Sequence, residues 1–172
     1  MHVVVAYATH QGSTQGIAER IADTLRREGM EAELRSVQVA FDPSADVDAY
    51  VIGSAVHAGH WLKPAKQFVE RHAESLEKRP VWLFSSGPIG EKAVHQPQPE
   101  PAEIPRFRDL VKPREHVVFA GAFDRSVADA KGGVLGRAIN RFIPEGDFRD
   151  WPAIEGWARG IANELSGELA TA

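Results

Sequence analysis

The most informative part of this sequence is the stretch Tyr7-Ala8-Thr9-His10-Gln11-Gly12-Ser13-Thr14. It follows the apolar run His2-Val3-Val4-Val5-Ala6, which is typical of a buried strand, and leads into an amphipathic helix that begins near Ser13. We expect this helix to end at Gly29, and its apolar stripe consists of Ile17, Ala18, Ile21, Ala22 and Leu25. The first N–H groups of a helix have no partner within the helix, and the helix dipole is positive at that end. A loop between such a strand and such a helix therefore predicts an anion-binding pocket.

The residues of this loop favour a single phosphate group held by hydroxyls and backbone amides. Gly12 lets the backbone approach a phosphate closely, and apart from His10 the loop carries no cation. It has neither the lysine of a P-loop nor the three glycines of a dinucleotide site. The alternative is a loop that only caps the helix. The candidate phosphate-binding residues are Thr9, His10, Gln11, Gly12, Ser13 and Thr14.

The composition narrows the class of protein. The 172 residues are 43% hydrophobic and 26% charged, which predicts one soluble globular domain over residues 1–172. The net charge of −4 argues against a nucleic-acid partner, because domains that bind nucleic acids are usually basic. Without cysteine, redox chemistry would need an organic cofactor or a metal with no thiolate ligand. We find no membrane span and no signal peptide, so we expect a cytoplasmic protein, either free or peripheral to the inner face of the membrane.

Strand-like and helix-like segments alternate along the chain, which predicts an α/β fold with a parallel sheet and helices on both faces. A last helix is predicted after an Asp150 cap, because apolar residues then recur at helical spacing. Residues 95–101 are proline-rich and predict a solvated loop, and residues 124–149 form an insertion before the last helix. The five predicted strands are 2–8, 31–37, 48–54, 80–85 and 117–121.

Two more loops are candidates for the same site. A ligand of an open α/β sheet binds beyond the carboxyl ends of the strands, where the strand order reverses. We predict a doubly wound order of 2-1-3-4-5, in which the loops after strands one, three and four meet. The further candidate residues are Ser54, Ala55, Val56, His57, Ala58 and Gly59 after strand three, and Ser86, Gly87, Pro88, Ile89 and Gly90 after strand four.

The histidines and tryptophans are expected to have different roles. His57 and His60 lie close in sequence without a carboxylate or further histidine nearby, so we expect a loop that lines a ligand, not a metal site. Trp61 suits either stacking on a planar cofactor or packing in the core. The other tryptophans, Trp82, Trp151 and Trp157, are expected in or beside the core, and His2, His72 and His116 at the surface or a sheet edge.

Four segments carry a resemblance to known proteins: residues 7–14, 51–61, 119–122 and 147–151. On these the chain resembles flavodoxin-domain proteins, and more closely the menaquinone-dependent protoporphyrinogen oxidase family, over nearly its whole length. The resemblance implies a flavodoxin-like fold with FMN as cofactor. It also implies an oxidoreductase of haem biosynthesis that dehydrogenates a small organic substrate, with a quinone-type acceptor. Because the flavin carries the chemistry, we nominate no catalytic side chain.

Two other functions stay open at this point. A flavodoxin-type electron carrier would dock on redox proteins and have no substrate of its own. Such carriers usually have a strongly acidic face, and a net charge of −4 is mild. A non-redox domain would use the first loop only as a helix cap. The expected partner is therefore a small molecule, a quinone or a redox protein, and the oligomeric state is left open.

The insertion contains a second amphipathic pattern. Such a helix would either pack its apolar face on the domain, or present an apolar wall and a basic rim to a ligand or membrane surface. The ligand would then be a quinone or a carboxylate-bearing tetrapyrrole. The apolar residues of the pattern are Val134, Leu135, Ala138, Ile139 and Phe142, and the cations nearby are Lys131, Arg137 and Arg141.

Overall fold

In a computed structural model the chain forms a five-stranded parallel sheet with helices on both faces. The structure describes residues 1–171 except 40, 45, 88, 91–97, 132–137 and 139, with the backbone alone at 131 and 169–171. In chain order the first strands are β1 (His2–Ala8), β2 (Glu31–Ser36), β3 (Ala49–His57), the short β4 (His60–Trp61), β5 (Val81–Ser86) and β6 (Glu115–Phe119). The sheet order is β2–β1–β3–β5–β6, and each neighbouring pair is parallel.

This arrangement confirms the predicted order 2-1-3-4-5, because β5 and β6 are the fourth and fifth long strands of the chain. Parallel neighbours need crossover connections, which here contain the first four helices, whereas the last two helices follow β6. The helices are α1 (Ser13–Arg27), α2 (Lys63–Arg71), α3 (Ala73–Leu76), α4 (Ile104–Val111), α5 (Arg125–Lys131) and α6 (Trp151–Thr171).

Two hydrophobic layers cover the sheet, because side chains alternate between its faces. Val3 and Val5 lie in the layer formed with α1 and α6. Val4 and Ala6 lie in the opposite layer, formed with α2, α3 and α4. Burial on both faces explains why the inner strands β1, β3 and β5 are mostly apolar, whereas the edge strand β2 alternates. The apolar stripe predicted for α1 is fully buried and consists of Ile17, Ala18, Ile21, Ala22 and Leu25.

The predicted helix signals have their expected geometry. Gly29 follows α1 with a φ of 85°, and Met30 N donates to Leu25 O at 3.0 Å, which closes the last turn. Asp150 caps α6, because its Oδ1 accepts a hydrogen bond from Ala153 N at 3.0 Å.

The region after strand three differs from the prediction. The strand does not end at Ser54 but continues to His57, and β4 then pairs with it in an antiparallel hairpin. The turn of this β3–β4 hairpin consists of Ala58 and Gly59, with φ values of 50° and 80°. Two positive φ values give the two-residue turn whose twist suits a hairpin. Small residues that favour a loop in the sequence are therefore mostly strand.

A second small sheet joins the two ends of the insertion. The strands β7 (Ala122–Phe123) and β8 (Gly146–Asp147) pair in antiparallel fashion, and neither was predicted. The fifth strand of the main sheet is Glu115–Phe119, two residues earlier than expected. Within the described ranges, no helix is both long and apolar enough to cross a membrane.

Parts of two predicted segments lie outside the described residues. These parts are 95–97 of the proline-rich loop and Val134, Leu135, Arg137 and Ile139 of the predicted amphipathic helix. Two members of its apolar face are described, and both Ala138 and Phe142 are exposed, Phe142 to 89%. These two side chains therefore do not pack on the domain.

Candidate functional site

The register of the sheet brings the predicted loops to one edge. Ala8 at the end of β1 pairs with Ser54 of β3, and Ser54 pairs with Ser85 of β5. Ser86 in turn pairs with Phe119 at the end of β6. The segments that follow β1, β5 and β6 therefore start side by side, and β3 continues past them into its hairpin, as expected for a ligand site of a doubly wound sheet.

The β1–α1 loop (residues 9–12) has the geometry of an anion site. Gly12 has a φ of 94°, and its N–H donates to Thr9 Oγ1 at 2.9 Å, which closes the loop. The space beside Gly12, where a side chain would lie, is open. No side chain of the described residues caps the start of α1. The first N–H groups of this helix are thus left for a ligand.

Thr14, in the first turn of α1, gives a more specific indication. Its side chain is 1% exposed, and its Oγ1 has no hydrogen-bond partner among the described residues. A buried hydroxyl without a hydrogen-bond partner destabilises the folded state, and few such groups occur in folded proteins. A ligand oxygen at the start of α1 would supply the missing partner.

Ser13 connects this loop to the far edge of the sheet. Its Oγ accepts a hydrogen bond from Ala122 N at 2.8 Å, and its hydroxyl proton is still able to donate. A Cβ on Gly121 would lie 3.4 Å from Ser13 Oγ and 3.5 Å from Ser86 Oγ. The segments after β1, β5 and β6 are therefore in close contact. His10 is exposed, and Gln11 is half-buried.

A cation that the sequence reasoning missed lies beside α1. Arg149 Nη1 is 3.4 Å from Ser13 O and only 2.5 Å from where a Cβ of Gly16 would be. Gly16 therefore makes room for the guanidinium, which also binds Asp147 through Nε at 2.7 Å and lies over the Trp151 ring. The local signal was Gly16 in the helix interior, where glycine is unfavourable.

The candidates after strand three divide into two groups. Ser54 is fully buried, and its hydroxyl donates to Ala55 O and accepts from Leu62 N, so its hydrogen bonds stay within the protein. His57, Ala58 and Gly59 are exposed at the hairpin tip. Ala55 and Val56 lie between these groups and are half-buried. The hairpin tip is therefore the part of this segment that faces solvent.

Trp61 takes the second of its two predicted roles and packs in the core. It is 3% exposed, its ring meets Phe107 edge-on at 5.2 Å, and its Nε1 donates to Ser85 Oγ at 2.8 Å. The neighbouring His60 contacts a carboxylate. Its Nδ1 lies 2.9 Å from Glu103 Oε1, and no cluster of three metal-binding side chains occurs in the described part of the chain.

The segment after β5 packs closely against its neighbours. Gly87 N donates to Phe119 O at 3.3 Å, and a Cβ on Gly87 would lie only 2.9 Å from Val56 Cβ. Only glycine fits there without a shift. Gly90 has a φ of 104°, and a Cβ added to it would lie 3.6 Å from Pro144 Cγ of the insertion. Ser86 is buried and Ile89 half-buried, whereas Pro88 lies outside the described residues.

His116 lies on the edge strand β6, one of its two predicted positions, but its side chain is buried. Its side chain is 1% exposed, with Nε2 2.8 Å from Ser85 Oγ and Nδ1 3.2 Å from Glu100 Oε1. Burial lowers the pKa of His116, and the hydrogen bond to Glu100 opposes this shift. If the neutral His116 ring carries its proton on Nδ1, every donor has an acceptor. Trp61 Nε1 then donates to Ser85 Oγ, Ser85 Oγ donates to His116 Nε2, and His116 Nδ1 donates to Glu100. No local pattern in the sequence marks these partners.

Comparison with known proteins agrees with this geometry. A sequence profile of the flavodoxin domain family matches residues 4–131. Protoporphyrinogen IX dehydrogenase [quinone] of Escherichia coli strain K12 is 24% identical to the chain, over 95% of this chain and 96% of that protein.

Solved structures support the fold. Rubredoxin oxygen:oxidoreductase of Desulfovibrio gigas matches 98% of this chain with a TM-score of 0.65 at 15% identity, although the chain spans only 37% of its length. A flavodoxin from the domain Archaea matches 82% of this chain and 97% of its own, with a TM-score of 0.54 at 19% identity. The doubly wound fold predicted from the sequence is thereby confirmed.

Proposed function

We propose that this chain, which belongs to the flavodoxin domain family, is an FMN-dependent oxidoreductase with a small organic substrate and a quinone-type acceptor. Membership of the family indicates a flavin, and the site determines which flavin we favour. The observation that carries the proposal is the buried, unpartnered hydroxyl of Thr14 at the open start of α1. A phosphate monoester there would accept hydrogen bonds from this hydroxyl and from the first backbone amides of the helix.

The residues of the β1–α1 loop fit the phosphate end of FMN. Thr9, Ser13 and Thr14 supply hydroxyls, and Gly12 leaves open space beside the backbone. Arg149 adds positive charge near Ser13, although Asp147 partly neutralises it. FAD or a nicotinamide dinucleotide would need a second phosphate site, and the sequence contains no second fingerprint for one. We therefore favour a cofactor with one terminal phosphate.

The other two loops would hold the ring. Backbone groups at the exposed Ala58 and Gly59 and at the half-buried Gly87 and Gly90 are suited to bind a planar heterocycle at its polar edges. FMN, when bound, supplies the hydride and electron transfer. The protein's part is to bind, orient and shield it, and we assign no acid or base among the side chains.

The substrate class rests on the named relative. Protoporphyrinogen IX dehydrogenase [quinone] aligns with nearly the full length of both chains. By its name, that protein dehydrogenates a porphyrinogen with a quinone as acceptor. We propose the same class of reaction here, in which the substrate loses hydrogen equivalents and the quinone is reduced to a quinol.

The test begins with the visible spectrum of the purified protein. We expect a yellow protein whose released cofactor elutes with an FMN standard and not with FAD. Mixing with protoporphyrinogen and a soluble quinone should then give turnover. A colourless protein that takes up no added FMN would leave the first loop as a helix cap. An FMN protein that cycles electrons only with another redox protein would be an electron carrier.

Gly59→Ala should change the redox properties of bound FMN while FMN remains bound. With FMN bound, a backbone carbonyl of this turn would accept a hydrogen bond from the proton that N5 carries in the reduced ring, and would thereby stabilise that state. Gly59 has a φ of 80°, which alanine adopts only with strain, so the turn would lose this freedom. The two one-electron reduction potentials should move closer together in a spectroscopic redox titration. Identical potentials in parent and variant would contradict this role of Gly59.

A further inference from the structure

Residues 102 and 103, which precede α4, make three polar contacts with the β3–β4 hairpin. Ala102 N donates to Gly59 O at 3.0 Å, in the turn itself. Glu103 then binds the next two residues with both carboxylate oxygens. Oε1 lies 2.9 Å from His60 Nδ1, and Oε2 accepts from Trp61 N at 3.0 Å. The turn is therefore held from the side of residues 59–61.

Glu103 is unusual among the carboxylates that the structure describes because it is only 6% exposed. Burial alone raises the pKa of Glu103, but the hydrogen bonds from Trp61 and His60 more than offset this and lower it. The only cation that the structure records beside it, within the described residues, is Lys66 at 3.9 Å. Burial of a carboxylate destabilises the folded protein unless the carboxylate keeps its hydrogen bonds. We therefore expect the contacts of Glu103 with the hairpin to persist.

We propose that Glu103 is a positioning residue for the Ala58–Gly59 turn, whose carboxylate fixes the turn against the flavin and thereby sets the separation of the two one-electron reduction potentials. The inference rests on the proposed function, in which this turn binds the ring. Its physical basis is preorganisation. With Gly59 O, His60 and Trp61 held, the Ala58–Gly59 peptide is the part of the turn left to move. A turn that is already ordered binds the reduced ring with less loss of conformational freedom.

The test compares FMN-bound variants by spectroscopic redox titration. Glu103→Ala removes both carboxylate contacts, and we expect the separation of the two potentials to shrink about tenfold in equilibrium constant, or ~59 mV for a one-electron couple. Glu103→Gln should keep the parent separation, since the amide oxygen can accept from Trp61 N while the amide NH₂ donates to the other tautomer of His60. Glu70→Ala is the matched control, because Glu70 pairs with Arg106 on α4.

Hydrogen exchange of FMN-free protein provides a second readout. The amides of His60 and Trp61 should exchange faster in Glu103→Ala and at the parent rate in Glu103→Gln and Glu70→Ala. If Glu103→Ala does not fold, His60→Ala replaces it, because this ring is 61% exposed and makes the same carboxylate contact. It should narrow the separation in the same direction.

The outcomes separate this inference from the function on which it rests. A parent protein that binds no FMN overturns the proposed function itself. FMN-bound Glu103→Ala or His60→Ala with the parent's separation overturns the positioning role and leaves the function standing. Equal shifts in Glu103→Gln and Glu103→Ala also overturn it, because the effect would then follow the charge and not the held turn.

Discussion

Replacing Thr9 and Thr14 together by alanine should weaken FMN binding roughly 30-fold or more, because each strong hydrogen bond to a phosphate is worth about 1–3 kcal/mol. Thr14 Oγ1 is the buried hydroxyl without a partner, so its loss removes a contact made only with the ligand. Thr9 acts twice, since its Oγ1 also accepts from Gly12 N and shapes the loop. Fluorescence titration of FMN-free protein with FMN gives the dissociation constants of the parent and of the double variant.

A matched control separates phosphate binding from the loss of a buried threonine. Thr24 lies on the same helix, is also 1% exposed, and accepts a hydrogen bond from Arg27 near the opposite end. Thr24→Ala should lower the free energy of unfolding and leave the affinity for FMN unchanged. Equal affinities in the parent and in the Thr9/Thr14 double variant would move the phosphate to another part of the protein.

The sequence predicts most of the fold because the relevant signals are local. The apolar stripe of α1, Gly29 at its end and the Asp150 cap of α6 depend on residues a few positions apart, and all three are confirmed. The strand order followed from the alternation of strands and helices and from the family resemblance. Short-range periodicity thus suffices for elements and layers.

The contacts that organise the site are not local, and the sequence reasoning missed them. Glu103 reaches back more than 40 positions to His60 and Trp61, and His116 lies 31 positions from Ser85. Such partners meet only after the sheet has formed, so no spacing rule marks them. The run from residue 54 to 57 shows a different difficulty. Its residues are small and polar enough to suggest a loop, although pairing with β4 and β5 makes it a strand.

Replacing residues 128–143 by a short glycine-serine linker should leave FMN bound and abolish turnover with quinone and porphyrinogen. An extra long segment in a compact domain is often functional. Pro144 follows this segment directly, and a Cβ added to Gly90 after β5 would lie 3.6 Å from Pro144 Cγ, which places this end of the insertion beside the proposed ring site. Phe142 is 89% exposed, so packing in the core does not explain why a large apolar residue occupies this position. The released cofactor and the rate with each substrate are the two measurements.

The insertion also contributes internal contacts, and the experiment must separate these from a role in substrate binding. Asn140 Nδ2 donates to Asp129 at 2.8 Å, and Arg125 Nη2 donates to Ile143 O at 3.4 Å, so the linker removes structural hydrogen bonds as well. Phe142→Ser is the smaller change, and Val39→Ser is its control, because Val39 is the other large exposed apolar residue among those that the structure describes, at 71%. Phe142→Ser should raise the KM for the apolar substrate without changing the unfolding midpoint, whereas Val39→Ser should change neither. Loss of the fold in the linker variant would show that the segment packs on the domain, and full activity with either substrate would remove it from the substrate site.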